Sequence, residues 1–301
     1  VLTLSECWAR DGIQPEAFVP TAAKLAVLAS AAAAGFRRIE LTSFAHPKAW
    51  PQFADAEEVV RTYERVPGVE YAVLVPNTVA LDRALAEPRF DRVTVVVAAS
   101  DSYNRKNVRR SRDESLAEAV AMAGRARTAG LNVTGCVGTA WACPIEGPTP
   151  QGVVLDLASR LADAGADEVM LGDTTGEAHP AVAGSLVAAV HASTGLPVEA
   201  HFHDSRGVAL ANAFAAVAAG AATVDCALGG VGGHPPEEGV QRGSAGNLCS
   251  EDVAAAFALA GIETGLDLDA LLAAGAAAEQ ALGRSLQSRV QQAGLPVALR
   301  R

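Results

Sequence analysis

One pattern constrains this chain more than any other: eight short runs rich in Val, Ile and Leu alternate with alanine-rich segments of helical length. The runs lie at residues 1–8, 36–42, 69–75, 92–98, 132–139, 168–171, 197–203 and 223–228. Helices are expected near 21–34, 53–65, 78–86, 113–129, 151–164, 181–193, 208–219 and 250–260, with a further one near 267–282. The runs read as nearly continuous apolar stretches, which suits strands buried on both faces. Ala-Gly recurs at 34–35, 129–130, 164–165 and 219–220, placing a glycine where each helix must stop. Eight such units in about 250 residues is the arithmetic of an α/β (β/α)8 TIM barrel. An open doubly wound sheet usually has fewer strands, and no GxGxxG follows the first run. The expectation is one barrel domain over 1–301 with an additional C-terminal helix. The glycine-rich stretch 229–246 then reads as a long functional loop rather than a boundary.

Composition removes other classes. Half the residues are apolar and 19% are charged, which excludes global disorder. With 24 Lys and Arg against 34 Asp and Glu the net charge is −10, which argues against a nucleic-acid partner. The alanine-rich stretch 25–35 is too short to span a bilayer, so no membrane association is expected. The five cysteines (Cys7, Cys136, Cys143, Cys226 and Cys249) form no CxxC pair and suit a reduced, cytoplasmic chain. One short basic run, 105–110, suits a phosphorylated small molecule; as a bland alternative it is a solvated face.

A barrel predicts that catalytic groups stand at the C-terminal ends of its strands. The polar residues obey: Glu6, Arg10, Asp11 and Gln14 follow the first run, and Glu40 and Ser43 end the second. Asn77 follows the third, Ser100 and Asp101 the fourth, and Asp173 and Thr174 the sixth. The most specific element is His201-Phe202-His203, because residues i and i+2 of a strand point the same way. Two imidazoles on one face can bind a divalent metal; the alternative is two separately hydrogen-bonded histidines. Asp11 and Asn247 are candidates for the remaining ligands, and Asp11 alone would read as an Asp-Gly turn. Such a mixed donor set suits Mg2+, Mn2+ or another first-row divalent ion. Arg10 is a candidate for stabilising an enolate oxygen, or a salt-bridge partner of Glu6 or Glu40. His234, in the glycine-rich loop, is a candidate general acid or base, or a solvated loop residue.

Arg10-Asp11-Gly12-Ile13-Gln14, Thr42-Ser43-Phe44, His201-Phe202-His203-Asp204 and Ala245-Gly246-Asn247-Leu248 resemble the 3-hydroxy-3-methylglutaryl-CoA lyase family, within a superfamily of metal-dependent lyases and Claisen-type synthases. The resemblance runs nearly end to end and includes Val75-Pro76-Asn77, Arg105-Lys106-Asn107, Cys143-Pro144-Ile145-Glu146-Gly147 and Leu171-Gly172-Asp173-Thr174. It implies cleavage of a 3-hydroxyacyl-CoA to acetyl-CoA and a keto acid. It implies metal ligands at Asp11, His201, His203 and Asn247, a catalytic Arg10, and supporting carboxylates at Glu6, Glu40 and Asp173. Glu6, Gln14, Ser43, Asn77 and Thr174 are expected to bind substrate, and Arg105, Lys106 and Asn107 to meet CoA. The family's loop carries a cysteine after Gly-Gly, where this chain has His234. The partner expected is an acyl-CoA, with the chain as a homodimer or higher homo-oligomer. A condensing synthase, a 2-keto-acid aldolase and a non-catalytic ligand-binding barrel are the alternatives.

Overall fold

The computed structural model describes residues 1–233 and 246–300. Eight parallel strands close into a barrel: β1 (Thr3–Glu6), β2 (Arg38–Ser43), β3 (Glu70–Val75), β4 (Arg92–Ala98), β5 (Asn132–Gly138), β6 (Glu168–Asp173), β7 (Val198–Phe202) and β8 (Thr223–Cys226). Closure is made by β1, which pairs with β2 on one side and β8 on the other. The surrounding helices are α1 (Thr21–Ala33), α2 (Ala56–Thr62), α3 (Thr78–Ala86), α4 (Asp101–Val108), α5 (Arg112–Thr128), α6 (Gln151–Asp163), α7 (Pro180–Thr194), α8 (Ala209–Ala218) and α9 (Ser250–Leu259), followed by α10 (Leu268–Leu282) and α11 (Arg289–Ala293). No helix among the described residues is long and apolar enough to cross a membrane.

The side-chain period of two divides each strand between two cores. On β4, Val93, Val95 and Val97 are at most 1% exposed and face the helices, while Thr94, Val96 and Ala98 face inward. On β7, Val198, Ala200 and Phe202 are fully buried outward, while Glu199 and His201 point inward. The strands are therefore buried on both faces, as expected, but strictly alternating where charge lies inside. Gly35, Gly130, Gly165 and Gly220 all have φ between +83° and +97°, the left-handed conformation that ends a helix at little steric cost.

The N-terminal half of the barrel interior is filled by interlocked ions. Arg38 pairs with Glu70 at 2.8 Å, Glu168 at 2.5 Å and Glu199 at 3.3 Å, and Arg92 pairs with Glu70 at 3.0 Å. Thr223 Oγ1 donates to Glu168 at 2.8 Å.

Several elements differ from the sequence expectation, among them the short α11 beyond the one additional helix expected. Residues 101–108 form α4, which has no apolar stripe to announce it; Ser100 caps it, and Asn104 Nδ2 ties it to the carbonyl of Ala98 at 2.7 Å. The helix expected at 53–65 is confined to Ala56–Thr62, because Pro51–Phe53 makes a separate tight turn before it. β7 ends at Phe202, so His203 stands just beyond it, bridged to Asn247.

Candidate active site

Immediately after β1 the backbone makes a single wide π-type turn, Trp8–Gly12, a distortion often found where side chains must be re-aimed. It swings Arg10 and Asp11 into the barrel mouth. Arg10 is 7% exposed, and burying a guanidinium is unfavourable without partners. It has two: Nε donates to Glu40 Oε2 at 2.5 Å, and the guanidinium also pairs with Asp11 Oδ1. Burial alone would raise the Asp11 carboxyl, but Arg10 and then His203 hold it well below the usual range. Burial pushes Glu40 up to about 7, with Arg10 opposing and Asp225 and Asp11 adding to the rise.

The two histidines are oriented from behind. His201 Nδ1 lies 2.6 Å from Asp225 Oδ2, and His203 Nδ1 lies 2.6 Å from the carbonyl oxygen of Thr174. Both partners are acceptors, so both Nδ1 atoms carry the proton. In the neutral rings both Nε2 atoms are then bare lone pairs, and they face each other at 2.9 Å. Two facing lone pairs repel unless a cation or a proton stands between them. Asp11 Oδ2 is 3.3 Å from His203 Nε2, and ligand atoms of Asp11, His201 and His203 all lie within 4.8 Å of one another. Asn247 Nδ2 donates to Asp11 Oδ2 at 2.8 Å and to the Val231 carbonyl at 2.9 Å. These residues fit a divalent cation: two imidazole nitrogens, a carboxylate held ionised by Arg10, and outer partners fixing each ring.

A second grouping, Cys7, His201 and Asp225, is geometrically close as well. It suits a metal less. Burial and the neighbouring carboxylates of Asp225, Asp11 and Glu6 push the Cys7 thiol up, whereas a metal takes the thiolate.

The mouth opens onto a cavity of about 400 Å³ lined by Arg10, Asp11, His201 and His203. Gln14, Ser43, Asn77 and Thr174 line it too, as does Asn107 from α4. Glu6, Glu40, Asp173, Arg105 and Lys106 do not. The Glu6 carboxylate accepts from the backbone of Trp8 (2.9 Å) and Leu228 (3.0 Å) and from Ser250 Oγ (2.6 Å); burial pushes it up to about 8. It clamps the first turn to the start of the glycine-rich loop instead of facing the cavity. Asp173 likewise accepts from the backbone of Glu177 (2.8 Å) and Ala178 (3.1 Å), shaping the loop that carries Thr174. Arg105 is exposed and pairs with Asp101 at 2.6 Å. His234 lies outside the described residues.

Two participants escaped the sequence reading. Asp225 was visible as a charge inside the run 223–228, the signal of a buried carboxylate with a task. Thr139 gave none: its φ is +50°, rare for a β-branched residue, and its N–H donates to Thr174 Oγ1 at 2.8 Å. That bond fixes the residue whose carbonyl holds His203.

With this geometry in hand, comparison with known proteins is direct. The family model described as HMGL-like matches residues 2–277. The rat mitochondrial hydroxymethylglutaryl-CoA lyase is 37% identical over 286 residues, covering 94% of this chain and 86% of the relative. The Bacillus subtilis hydroxymethylglutaryl-CoA lyase is 36% identical over 290 residues, covering 96% and 95%. Among solved structures, an HMG-CoA lyase from Acinetobacter baumannii in complex with coenzyme A and 3-methylmalate superposes with TM-score 0.92 at 32% identity, covering 100% of this chain and 97% of that one.

Proposed function

This chain belongs to the HMGL-like family, and from that premise we propose that it is a carbon–carbon lyase cleaving a 3-hydroxyacyl-CoA of the hydroxymethylglutaryl type to acetyl-CoA and a keto acid. The observation that carries the reading is the pair of His201 and His203 Nε2 atoms facing each other at 2.9 Å beside Asp11.

Asp11, His201, His203 and Asn247 are the residues that would hold the ion, with Mg2+ or Mn2+ best matched to two nitrogen and two oxygen donors. When bound, the cation supplies Lewis acidity that makes the substrate's tertiary hydroxyl acidic. Asp11 is the carboxylate beside the histidines and takes the hydroxyl proton. Its low proton affinity makes it a base only for a hydroxyl so acidified. The C2–C3 bond then breaks: the oxygen left on C3 forms a carbonyl, giving the keto acid, and the bonding electrons pass to C2 and the thioester oxygen. Arg10, pinned between Glu40 and Asp11, stabilises that developing enolate without having to move. Protonation at C2 yields acetyl-CoA, and His234 is assigned to it as the loop acid. Ser43, Asn77, Gln14 and Thr174 orient the acyl group from the cavity wall. Glu6, Glu40 and Asp173 act behind the site by holding Arg10 and the two loops.

The basic run contributes unequally to CoA binding. Asn107 and Arg110 line the cavity, with Arg110 also paired to Glu118, which supports a role for them toward the thioester arm; Arg105 and Lys106 precede Asn107 on α4. A reduced cytoplasmic setting suits the five free, buried cysteines.

The test is incubation with Mg2+ or Mn2+ and hydroxymethylglutaryl-CoA while acetyl-CoA is followed. The reading expects metal-dependent release that EDTA abolishes. Absence of acetyl-CoA from any 3-hydroxyacyl-CoA would leave the condensing or ligand-binding alternatives.

A further inference from the structure

One lysine is buried where a cation is disfavoured twice. Lys24 lies in the first turn of α1, is 1% exposed, and has the Phe18 ring 4.7 Å from its ammonium. Loss of water opposes the charge, and so does the positive end of the helix that carries it. Its Nζ donates to the Gln52 carbonyl and to Asp55 Oδ1, both at 2.6 Å. Asp55 Oδ2 in turn accepts from Thr21 Oγ1 at 2.8 Å. Asp55 stands at the N-cap of α2, where a carboxylate ordinarily accepts from its own helix, yet it makes no such bond. Both of its oxygens are turned toward α1 instead.

The segment held in this way is cavity wall. Residues 44–55 run from the end of β2 to the start of α2, and Ala45, His46, Ala49, Trp50 and Phe53 line the cavity. Apart from the short turn Pro51–Phe53 this stretch is neither helix nor strand, so no ladder fixes it. Among the described residues, the hydrogen bonds that tie 46–55 to elements other than α2 end on Gln14, Thr21 or Lys24. The one on Gln14 comes from Gln52 Nε2, which donates to its carbonyl just beyond the turn that carries Arg10 and Asp11. The helix at the other end of the lysine is firmly seated, with Val27, Leu28 and Ala31 buried. Apolar side chains of similar volume often stabilise a fold as well as a buried ion pair does. What the pair adds is direction: three oriented contacts fix where the wall stands.

We propose, resting on the lyase reading above, that Lys24 is a positioning residue for the acyl-CoA: through Gln52 and Asp55 it holds 46–55 in place as the wall against which the substrate binds. Lys24 does not itself line the cavity, and its partners are not candidate metal ligands. Its loss leaves Arg10 paired with Glu40 and Asp11, and both histidines with their acceptors. Substrate must then order the wall as it binds, which lowers apparent affinity by the fraction of molecules already ordered. KM rises and kcat holds.

The test combines Lys24→Met with Asp55→Leu, which removes both charges and leaves neither one buried alone. Acetyl-CoA release from hydroxymethylglutaryl-CoA gives kcat and KM. Acrylamide quenching of tryptophan fluorescence reports the wall without substrate, because Trp50 is half-buried while Trp8 and Trp141 are 1% and 8% exposed. The double variant is expected to keep the wild-type urea midpoint and Mn2+ binding, to raise KM by about tenfold with kcat nearly unchanged, and to be quenched more readily. If it does not fold, Asp55→Asn, which keeps an acceptor for Thr21 and removes one charge, is read by the same criteria. A folded variant with wild-type KM and quenching would show that the pair only fills space, and the proposal fails. A fall in kcat together with lost Mn2+ binding would place Lys24 behind the metal centre instead, and the proposal fails again. If the wild type releases no acetyl-CoA, the lyase reading falls and the substrate role with it, whereas the quenching comparison still decides whether Lys24 holds the wall.

Discussion

The two ends of the same barrel solve opposite problems with the same eight strands. At the N-terminal end the inward residues are Arg38, Glu70, Arg92, Glu168 and Glu199, locked into each other, with Arg92, Glu168 and Glu199 buried and Arg38 and Glu70 partly exposed. At the C-terminal end they are His201, Gly172, Gly138 and Ala98, with a cavity between them. The outward residues barely change from one end to the other: Val93 and Val97 on β4 are both buried against helices. Packing against the helices is what fixes strand position, so the interior is free to be a plug below and a reaction vessel above. The plug holds the barrel's shape where the vessel has no side chains to do so.

Removing groups from the two ends is therefore expected to break different things. The largest effect lies above. His201→Ala is expected to lower kcat/KM for acetyl-CoA release by about a thousandfold, since the several kcal/mol an ion supplies convert at about 1.4 kcal/mol per decade. Its urea midpoint, measured without metal, is expected to change less, because relief of the facing lone pairs offsets the loss of the Asp225 contact. Below, the effect reverses. Glu168→Ala leaves Arg38 short of a buried partner and is expected to cost about 3 kcal/mol in urea unfolding, the usual penalty for breaking a buried ion pair. An equal loss of stability from both variants would erase the distinction between plug and vessel.

A smaller effect sharpens the boundary between the ends. Glu6 faces neither interior, and burial pushes it up to about 8, above the 4.5 of an ordinary glutamate. The folded state thus keeps a proton that the unfolded chain releases. The stability this gives is fully present below pH 4.5 and lost as pH rises through about 8. Glu6→Gln, a permanent analogue of the neutral acid, is expected to flatten part of the fall in urea midpoint between pH 5 and 8. An unchanged slope would show that Glu6 is ionised in the folded protein.

What was legible in the sequence follows the same division. The outward residues set the apolar runs and the Ala-Gly helix ends, so the barrel could be read. His201 and His203 could be read because their spacing matches the strand period. The plug could not, because Arg38, Arg92 and Glu168 sit at strand starts, where a charge looks like a surface boundary; only the closed barrel brings them together. The bare stretch of cavity wall could not either, since Gly138 and Gly172 look like ordinary strand-end glycines until register aligns them. Glu6 and Asp173 were expected near substrate from their place at strand ends, yet each is one position out of phase with the inward row and serves the loops instead.

The central claim is that one divalent cation belongs between His201, His203 and Asp11. Calorimetric titration of the metal-free protein with Mn2+ tests it most directly. The account predicts one site per chain in the wild type and loss of that site in both His201→Ala and His203→Ala, with each variant still folded by circular dichroism. Undiminished Mn2+ binding in the two folded variants would contradict it.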